Sequence, residues 1–503
     1  MAVTAGLRLG RDAIRHLPIG SQPLIRPGDA GVGIVHLGLG AFHRAHQAVY
    51  TERAMAAAGG DWGIVAVAPR SRDLVEALTE QDLLFSVTDL DGASARARAI
   101  GSLVGVRHAA SDPATIVELL ARPEVRVVTL TVTEKAYQLD PATGRLRPDA
   151  DLAADLASDR PPRTVPGLLL RGLLARFRAD AGPIALVSCD NLPANGARLE
   201  GVVTGCLDAL WASAPAGPAA YPAGVIDWVR THVTFPSTMV DRIVPASTAA
   251  TRDRAADLLG MRDEAAVAAE PFSQWVIEDR FPGGRPAWDR AGAVLTADAG
   301  PWERLKLRAL NGAHSTLAYL GALAGAETIA EALTLPGLRE AVQCLLTEDV
   351  APSLTPPDGA SVEAYGASVL TRFDNAAIGH RTLQVALDGS QKLPQRILAT
   401  MLDRRAAGGT PRWAALAVAA WIRFAQGTDD SGRPLPLDDP LAEPLRAAAT
   451  GSDPVGAVLA LSQVFPAELA ADPVVRGLIR DWLDALTRHG VAETLREASC
   501  ASP

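Results

Sequence analysis

Gly33-Ile34-Val35-His36-Leu37-Gly38-Leu39-Gly40-Ala41-Phe42-His43-Arg44 is an apolar run that ends in a Gly-x-Gly turn and opens into a helical pattern near residues 44 to 58. Further β-rich runs follow at Gly63–Ala68, Val125–Val132 and Ile184–Ser188, each separated from the next by helical spacing. Strands that alternate with helices predict an α/β arrangement, a parallel sheet covered by helices. In such a unit the first strand-to-helix turn carries glycines so that the backbone can approach a pyrophosphate at the helix N-terminus. Gly38, Gly40, Ala41 and Phe42 are the candidate cofactor contacts. The motif reads GxGxxH rather than GxGxxG, and taken alone it matches many ordinary turns. Its position, between the first buried strand and the first helix, is what points to a dinucleotide. His43 and His46 read as packing and capping residues, because no cysteine or acidic cluster completes a metal site. The second strand ends at Ala68-Pro69-Arg70-Ser71-Arg72 without the acid that favours NAD. Arg70 suits a 2′-phosphate or simply belongs to a solvated loop, so NADP stays open beside NAD.

Working outward, residues 1–30 are polar and punctuated by Pro and Gly and read as an N-terminal arm. The α/β pattern occupies 31–290. Past the Gly/Pro-rich segment Phe281–Pro301 it gives way to long Ala/Leu helices, so 291–503 is expected to be a mostly α-helical substrate and catalytic domain. Residues 140–165 and 212–224 read as surface loops, and Val233–Asp241 as a further β-like stretch. The 503 residues carry 48 Lys+Arg against 57 Asp+Glu, a net charge of −9, with no basic block and 5% aromatics. That balance argues against a nucleic-acid partner. No apolar run approaches the ~20 residues of a membrane span. Four scattered cysteines without a CxxC pair, and no secretory leader, predict reduced thiols and a cytoplasmic protein.

In the second region, Lys306-Leu307-Arg308-Ala309-Leu310-Asn311-Gly312-Ala313-His314 places an amine, an amide and an imidazole on one predicted helix. At α-helical spacing His314 lies about 80° and Asn311 about 140° around the axis from Lys306, so all three can border one cleft. A desolvated lysine loses its preference for the charged form and becomes a candidate general base. The same stretch is compatible with a lysine reaching solvent, a local capping amide and a packed core histidine. Two common ways to move an alcohol proton are missing, since no Tyr-x-x-x-Lys and no zinc-ligand spacing occurs. Lys306 remains as proton carrier. Asn311 and Asn191, the latter in Cys189-Asp190-Asn191-Leu192-Pro193, are candidates for stabilising an oxyanion.

The motifs Gly38–Gln47, Leu130–Lys135, Cys189–Pro193, Met239–Pro245, Glu270–Asp279 and Lys306-x4-Asn311-x2-His314 together resemble the polyol-specific long-chain dehydrogenase/reductases. This family contains mannitol 2-dehydrogenase, fructuronate reductase and tagaturonate reductase, and the resemblance spans residue 33 to roughly 490. It implies a Rossmann-type N-terminal domain, a mostly α-helical C-terminal domain, NAD-dependent, metal-free catalysis in a cleft between the two, and a monomeric enzyme. It further implies that Lys306 is the acid/base, that Asn191 and Asn311 polarise the reacting oxygen, and that His314 orients the substrate. Asp241 would contact substrate hydroxyls and Glu134 would gate proton exit. Phe235–Arg242 and Asp388–Arg396 look more like fructuronate reductases, which interconvert D-fructuronate and D-mannonate. Lys392, Arg396, Arg381 and His380 offer more cationic donors than a neutral hexitol needs, which suits the carboxylate of a sugar acid. Those four are equally compatible with a charged surface loop. A mannitol 2-dehydrogenase or D-arabinitol dehydrogenase is the alternative, with a neutral polyol as substrate. The chain departs from the family pattern at Ala41 and Ala136, neither of which removes a catalytic group.

Overall fold

The apolar runs read from the sequence form strands in a computed structural model that describes residues 7–92, 94–140, 143–213, 224–496 and 498. The chain divides into two units, Met1–Ala299 and Gly300–Pro503. The first contains β1 (Val32–Leu37), β2 (Gly63–Ala68), β3 (Phe85–Asp91), β4 (Ser94–Ile100), β5 (Leu103–His108) and β6 (Val127–Leu130). It continues with β7 (Ile184–Ser188), β8 (Val233–Thr234), β9 (Thr238–Asp241), β10 (Val267–Ala269), β11 (Gln274–Glu278) and β12 (Val294–Thr296). One six-stranded sheet runs in the order β5-β2-β1-β6-β7-β8, and every neighbouring pair is parallel.

Every residue of β2, β6 and β7 is buried, which is why these strands read as unbroken apolar runs. Successive side chains point to opposite faces and feed two cores. Val35, Leu37, Val65, Val67, Val128 and Leu130 pack on one face, and Ile34, Ile64, Ala66, Val127 and Val187 on the other. The strand order reverses between β1 and β6, so the turns beyond their carboxyl ends diverge and leave the crevice in which such sheets bind ligands.

Smaller three-stranded sheets, β10-β3-β4 and β12-β11-β9, complete this unit. The β-like stretch Val233–Asp241 is split: Pro236 lacks the N–H a ladder needs. β8 therefore closes the edge of the large sheet, and β9 resumes antiparallel to β11. Residues 140–165 are not all loop. Asp149 caps a helix, Ala150–Ala157, by accepting from Leu152 N at 2.8 Å, and Leu152 and Leu156 bury its apolar side. Most of the other expected loop, residues 214–223, lies outside the described residues, as do residues 1–6 of the expected arm. Leu9, Ala13 and Leu17 pack with Leu84, Ala97 and Leu259.

In the second unit the helix Gly312–Leu323 is buried on all sides, as a helix at the centre of a bundle must be. The helix Arg412–Ala425 packs against it and against Pro473–Arg496. Among the described residues, three π-helical turns interrupt this unit: Lys306–Asn311, Leu345–Val350 and Pro394–Leu398. Cys189 and Cys206 are free and buried, whereas Cys344 is disulfide-bonded. That corrects the expectation of reduced thiols throughout, because pairing depends on proximity in space and not on local spacing. No helix among the described residues is long and apolar enough to cross a membrane.

Candidate active site

At the carboxyl end of β1, Gly38 adopts φ +112°, and a Cβ there would collide with the Thr131 carbonyl oxygen beyond β6. Only glycine fits. Gly38 N and Leu39 N both donate to Val67 O at 3.0 Å, which bends the chain sharply off the strand. Gly40 is the opposite case: it is exposed, and a Cβ built on it would meet nothing closer than 3.8 Å. Its backbone is open to a close-lying group, as a pyrophosphate requires, so these residues fit a dinucleotide. Ala41 and Phe42 open the short helix Ala41–Ala45, and Phe42 stacks on His46 with ring centroids 4.9 Å apart. His43 lies flat on His36 of β1, at 3.4 Å and 11°. The stacked imidazoles thus fill the helix–strand contact that a third glycine serves in GxGxxG turns. Burial pushes His36 down to about 3, and its ring bonds Thr129 Oγ1 at 2.7 Å and Thr131 Oγ1 at 2.9 Å. Arg70 is exposed on the turn after β2, next to Ser71, which caps the helix Arg72–Glu80.

The turns after β6 and β7 are joined by a residue that the sequence reading passed over. Asp190 accepts from Val132 N at 3.1 Å, Thr133 N at 2.9 Å and the Tyr137 hydroxyl at 2.8 Å. Burial raises its pKa, against the lowering effect of those three donors. Thr133 sits at φ +73°, in the left-handed region that a β-branched residue rarely enters. Glu134, exposed, begins the 3₁₀ turn Glu134–Tyr137 directly after it. Asn191 is exposed beside Asp190. Asn195 is buried and donates to Asp190 O and to Thr238 O, each at 3.0 Å, while its Oδ1 accepts from Thr238 N at 2.9 Å. Asp241 is buried at the end of β9, where it pairs in register with Gln274. The Cys-Asp-Asn motif pointed at this turn, but its contacts with Thr133 and Tyr137 arise only in the fold.

In the helical unit, Lys306 and His314 are buried and Asn311 is half-buried. The imidazole of His314 stacks on Phe373 at 4.7 Å and meets His380 edge-on at 4.6 Å. His314 Nε2 and His380 Nδ1 are buried and make no hydrogen bond within the described residues. Both rings are held neutral. Burial is the main cause for each, reinforced at His314 by the positive charges of Arg396, Arg372 and Lys392, and at His380 by Lys392. Burial and the neighbouring Arg396 also lower the pKa of Lys392, whose ammonium donates to Leu387 O at 2.6 Å and lies 3.9 Å from Asp388. Arg396 donates to Ser315 Oγ at 3.1 Å, and burial brings it down to about 10. The fold therefore gathers His380, Lys392 and Arg396 around His314 and adds Arg372, which sequence reasoning missed. Arg381 is not among them; it is largely exposed and faces Glu327 at 3.9 Å. Among the described residues, no group of three or more His, Cys, Asp or Glu is placed to hold a metal ion.

Residues 32–290 match the mannitol dehydrogenase Rossmann domain, and residues 298–487 match the mannitol dehydrogenase C-terminal domain. The chain belongs to the mannitol dehydrogenase family. It is accordingly an oxidoreductase acting on a CH–OH group, and the family resemblance carried by the sequence motifs holds. It is 41% identical to D-mannonate oxidoreductase of Escherichia coli (strain K12), over 92% of this chain and 94% of that protein. Among solved structures it resembles Pseudomonas fluorescens mannitol 2-dehydrogenase in a ternary complex with NAD and D-mannitol. There the TM-score is 0.83 at 33% identity, covering 97% of this chain and 99% of that one. A substrate-free D-sorbitol dehydrogenase gives 0.88 at 29% identity, covering 97% and 100%. Within the mannitol dehydrogenase family, then, this chain has both a relative named for a sugar acid and structural neighbours named for neutral polyols.

Proposed function

We propose that this member of the mannitol dehydrogenase family is a cytoplasmic, NAD-dependent oxidoreductase that interconverts D-fructuronate and D-mannonate. The observation that carries the choice of substrate is the cationic cluster of Lys392, Arg396 and Arg372 around two neutral imidazoles. Lys and Arg donors match a carboxylate, and a uronate brings one where a hexitol brings only hydroxyls. His314 Nε2 and His380 Nδ1 are buried polar atoms suited to substrate hydroxyls.

Gly38, Gly40, Ala41 and Phe42 would hold a nicotinamide dinucleotide, which would supply hydride chemistry in either direction. Lys306 donates the proton to the C5 oxygen in reduction and removes it in oxidation. Asn191 and Asn311 donate hydrogen bonds to that oxygen as charge develops on it, His314 and Asp241 hold neighbouring hydroxyls, and Glu134 passes the proton to solvent. A mannitol 2-dehydrogenase is the second reading, favoured by the likeness to the NAD and D-mannitol complex.

Nicotinamide absorbance with D-mannonate, D-mannitol and D-arabinitol, each with NAD and then NADP, separates the readings. Rapid NAD reduction by D-mannonate alone is expected; a preference for a neutral polyol would discard the carboxylate argument. Lys306→Ala should lose turnover by about 10²- to 10⁴-fold with NAD binding retained. Largely intact turnover would refute the lysine mechanism.

A further inference from the structure

We infer that Asp190 is a positioning residue for this reaction: its buried carboxylate locks the turn after β6 and thereby fixes the amide of Asn191, the next residue in the chain. The inference rests on the role given to Asn191 above. Asp190 is gripped from two directions. Its side chain accepts from Val132 N, Thr133 N and the Tyr137 hydroxyl, all on the turn after β6. Its carbonyl accepts from Asn195, whose amide is itself held by the Thr238 backbone at the start of β9. Tyr137 is anchored in turn by Ser188 Oγ, at 2.6 Å, on the last residue of β7. The turns that carry Glu134, Asn191 and Asp241 are therefore joined through one carboxylate and one amide.

Two features indicate that this arrangement serves function rather than stability alone. Thr133 is held in left-handed backbone, and such conformers persist only where the surroundings impose them and cluster at active sites. The Thr133 N–H is one of the donors that Asp190 accepts, so the carboxylate fixes the strained residue. A carboxylate is also the group required. Two N–H donors and one hydroxyl converge on it, whereas an asparagine in the same place would turn an NH₂ toward one of them. Displacing Asn191 by an ångström is enough to misplace an oxyanion donor.

The test is a double-mutant cycle on the full chain, reading kcat and KM for the substrate the wild type turns over and the Kd for NAD. Asp190→Asn should lower kcat by about 100-fold while KM and Kd change less than about threefold. Asp190→Asn combined with Asn191→Ala should be no slower than Asn191→Ala alone, because Asp190 acts through Asn191. Tyr137→Phe removes one of the three donors and should lower kcat about fivefold, with the same lack of additivity toward Asn191→Ala; it decides the matter if Asp190→Asn fails to fold. Losses that multiply in the double variants, or wild-type kcat in Tyr137→Phe, would overturn the inference. Unchanged turnover in Asn191→Ala is a different failure: it removes the role assigned to Asn191 and takes the inference with it.

Discussion

The imidazole of His314 shows how burial sets the chemistry of a side chain. Desolvation and three neighbouring positive charges keep it neutral, so one ring nitrogen donates and the other accepts, which would let it orient a hydroxyl without competing for the proton that the proposed mechanism assigns to Lys306. On the proposed reading, Lys392 and Arg396 meet the carboxylate of the substrate. Lys392→Ala should raise KM for D-mannonate by about tenfold or more, the worth of a hydrogen bond to a charged group, and shift KM for D-mannitol by less than about threefold. Equal shifts for both substrates would remove the carboxylate role. Lys306, Asn311, His314 and Lys392 were all legible as candidates, because amines, amides and imidazoles among apolar residues stand out in a sequence. Arg372 was not legible, since nothing near it in the chain distinguishes it from a helix-face arginine. Arg381 looked as promising as Arg396, and only the fold turns it toward Glu327.

At the scale of elements, the helix predicted through 306–314 is interrupted by a π turn. α-Helical spacing separates Lys306 from Asn311 by about 140°. An i→i+5 closure instead brings residue i+5, here Asn311, nearly over residue i, Lys306, so the two side chains emerge on neighbouring sides. The turn packs against a second π turn, Pro394–Leu398, which carries Arg396. Their close approach depends on Gly312, where a Cβ would lie 2.9 Å from Arg396 O. Gly312→Ala should force the two turns apart, costing about 1–3 kcal/mol of stability and lowering turnover more than a mutation of similar cost elsewhere in this unit. Urea unfolding together with kcat measures both, and a stable, fully active variant would show that the spacing is unimportant. The pattern could not reveal this turn, because π closure is imposed by packing and has no periodic signature of its own.

For the molecule as a whole, a third π turn links pH to stability. Asp349 in Leu345–Val350 is fully buried and accepts from Trp413 N and Ala414 N, each at 2.8 Å, which caps the central helix Arg412–Ala425. Burial outweighs those donors and pushes its pKa up to about 6. The folded protein thus keeps a proton that the unfolded chain has released by about pH 4, so stability falls as pH rises from about 4 to 6 and then levels off. Asp349→Asn should remove that slope, a difference of at most about 3 kcal/mol between the ends of the window. Urea midpoints from pH 4 to 7 would show it, and parallel profiles for the two proteins would contradict it. By itself the sequence determined the α/β alternation, the Gly-x-Gly turn and the change to helices past residue 300. Each follows from side-chain period, strand burial or backbone freedom within a few residues. Only the tertiary structure decided the π turns, the Asp190 link between turns 57 residues apart and the cations gathered around His314. These depend on which distant residues meet, and a buried charge or a strained turn is stable only once its partners have arrived.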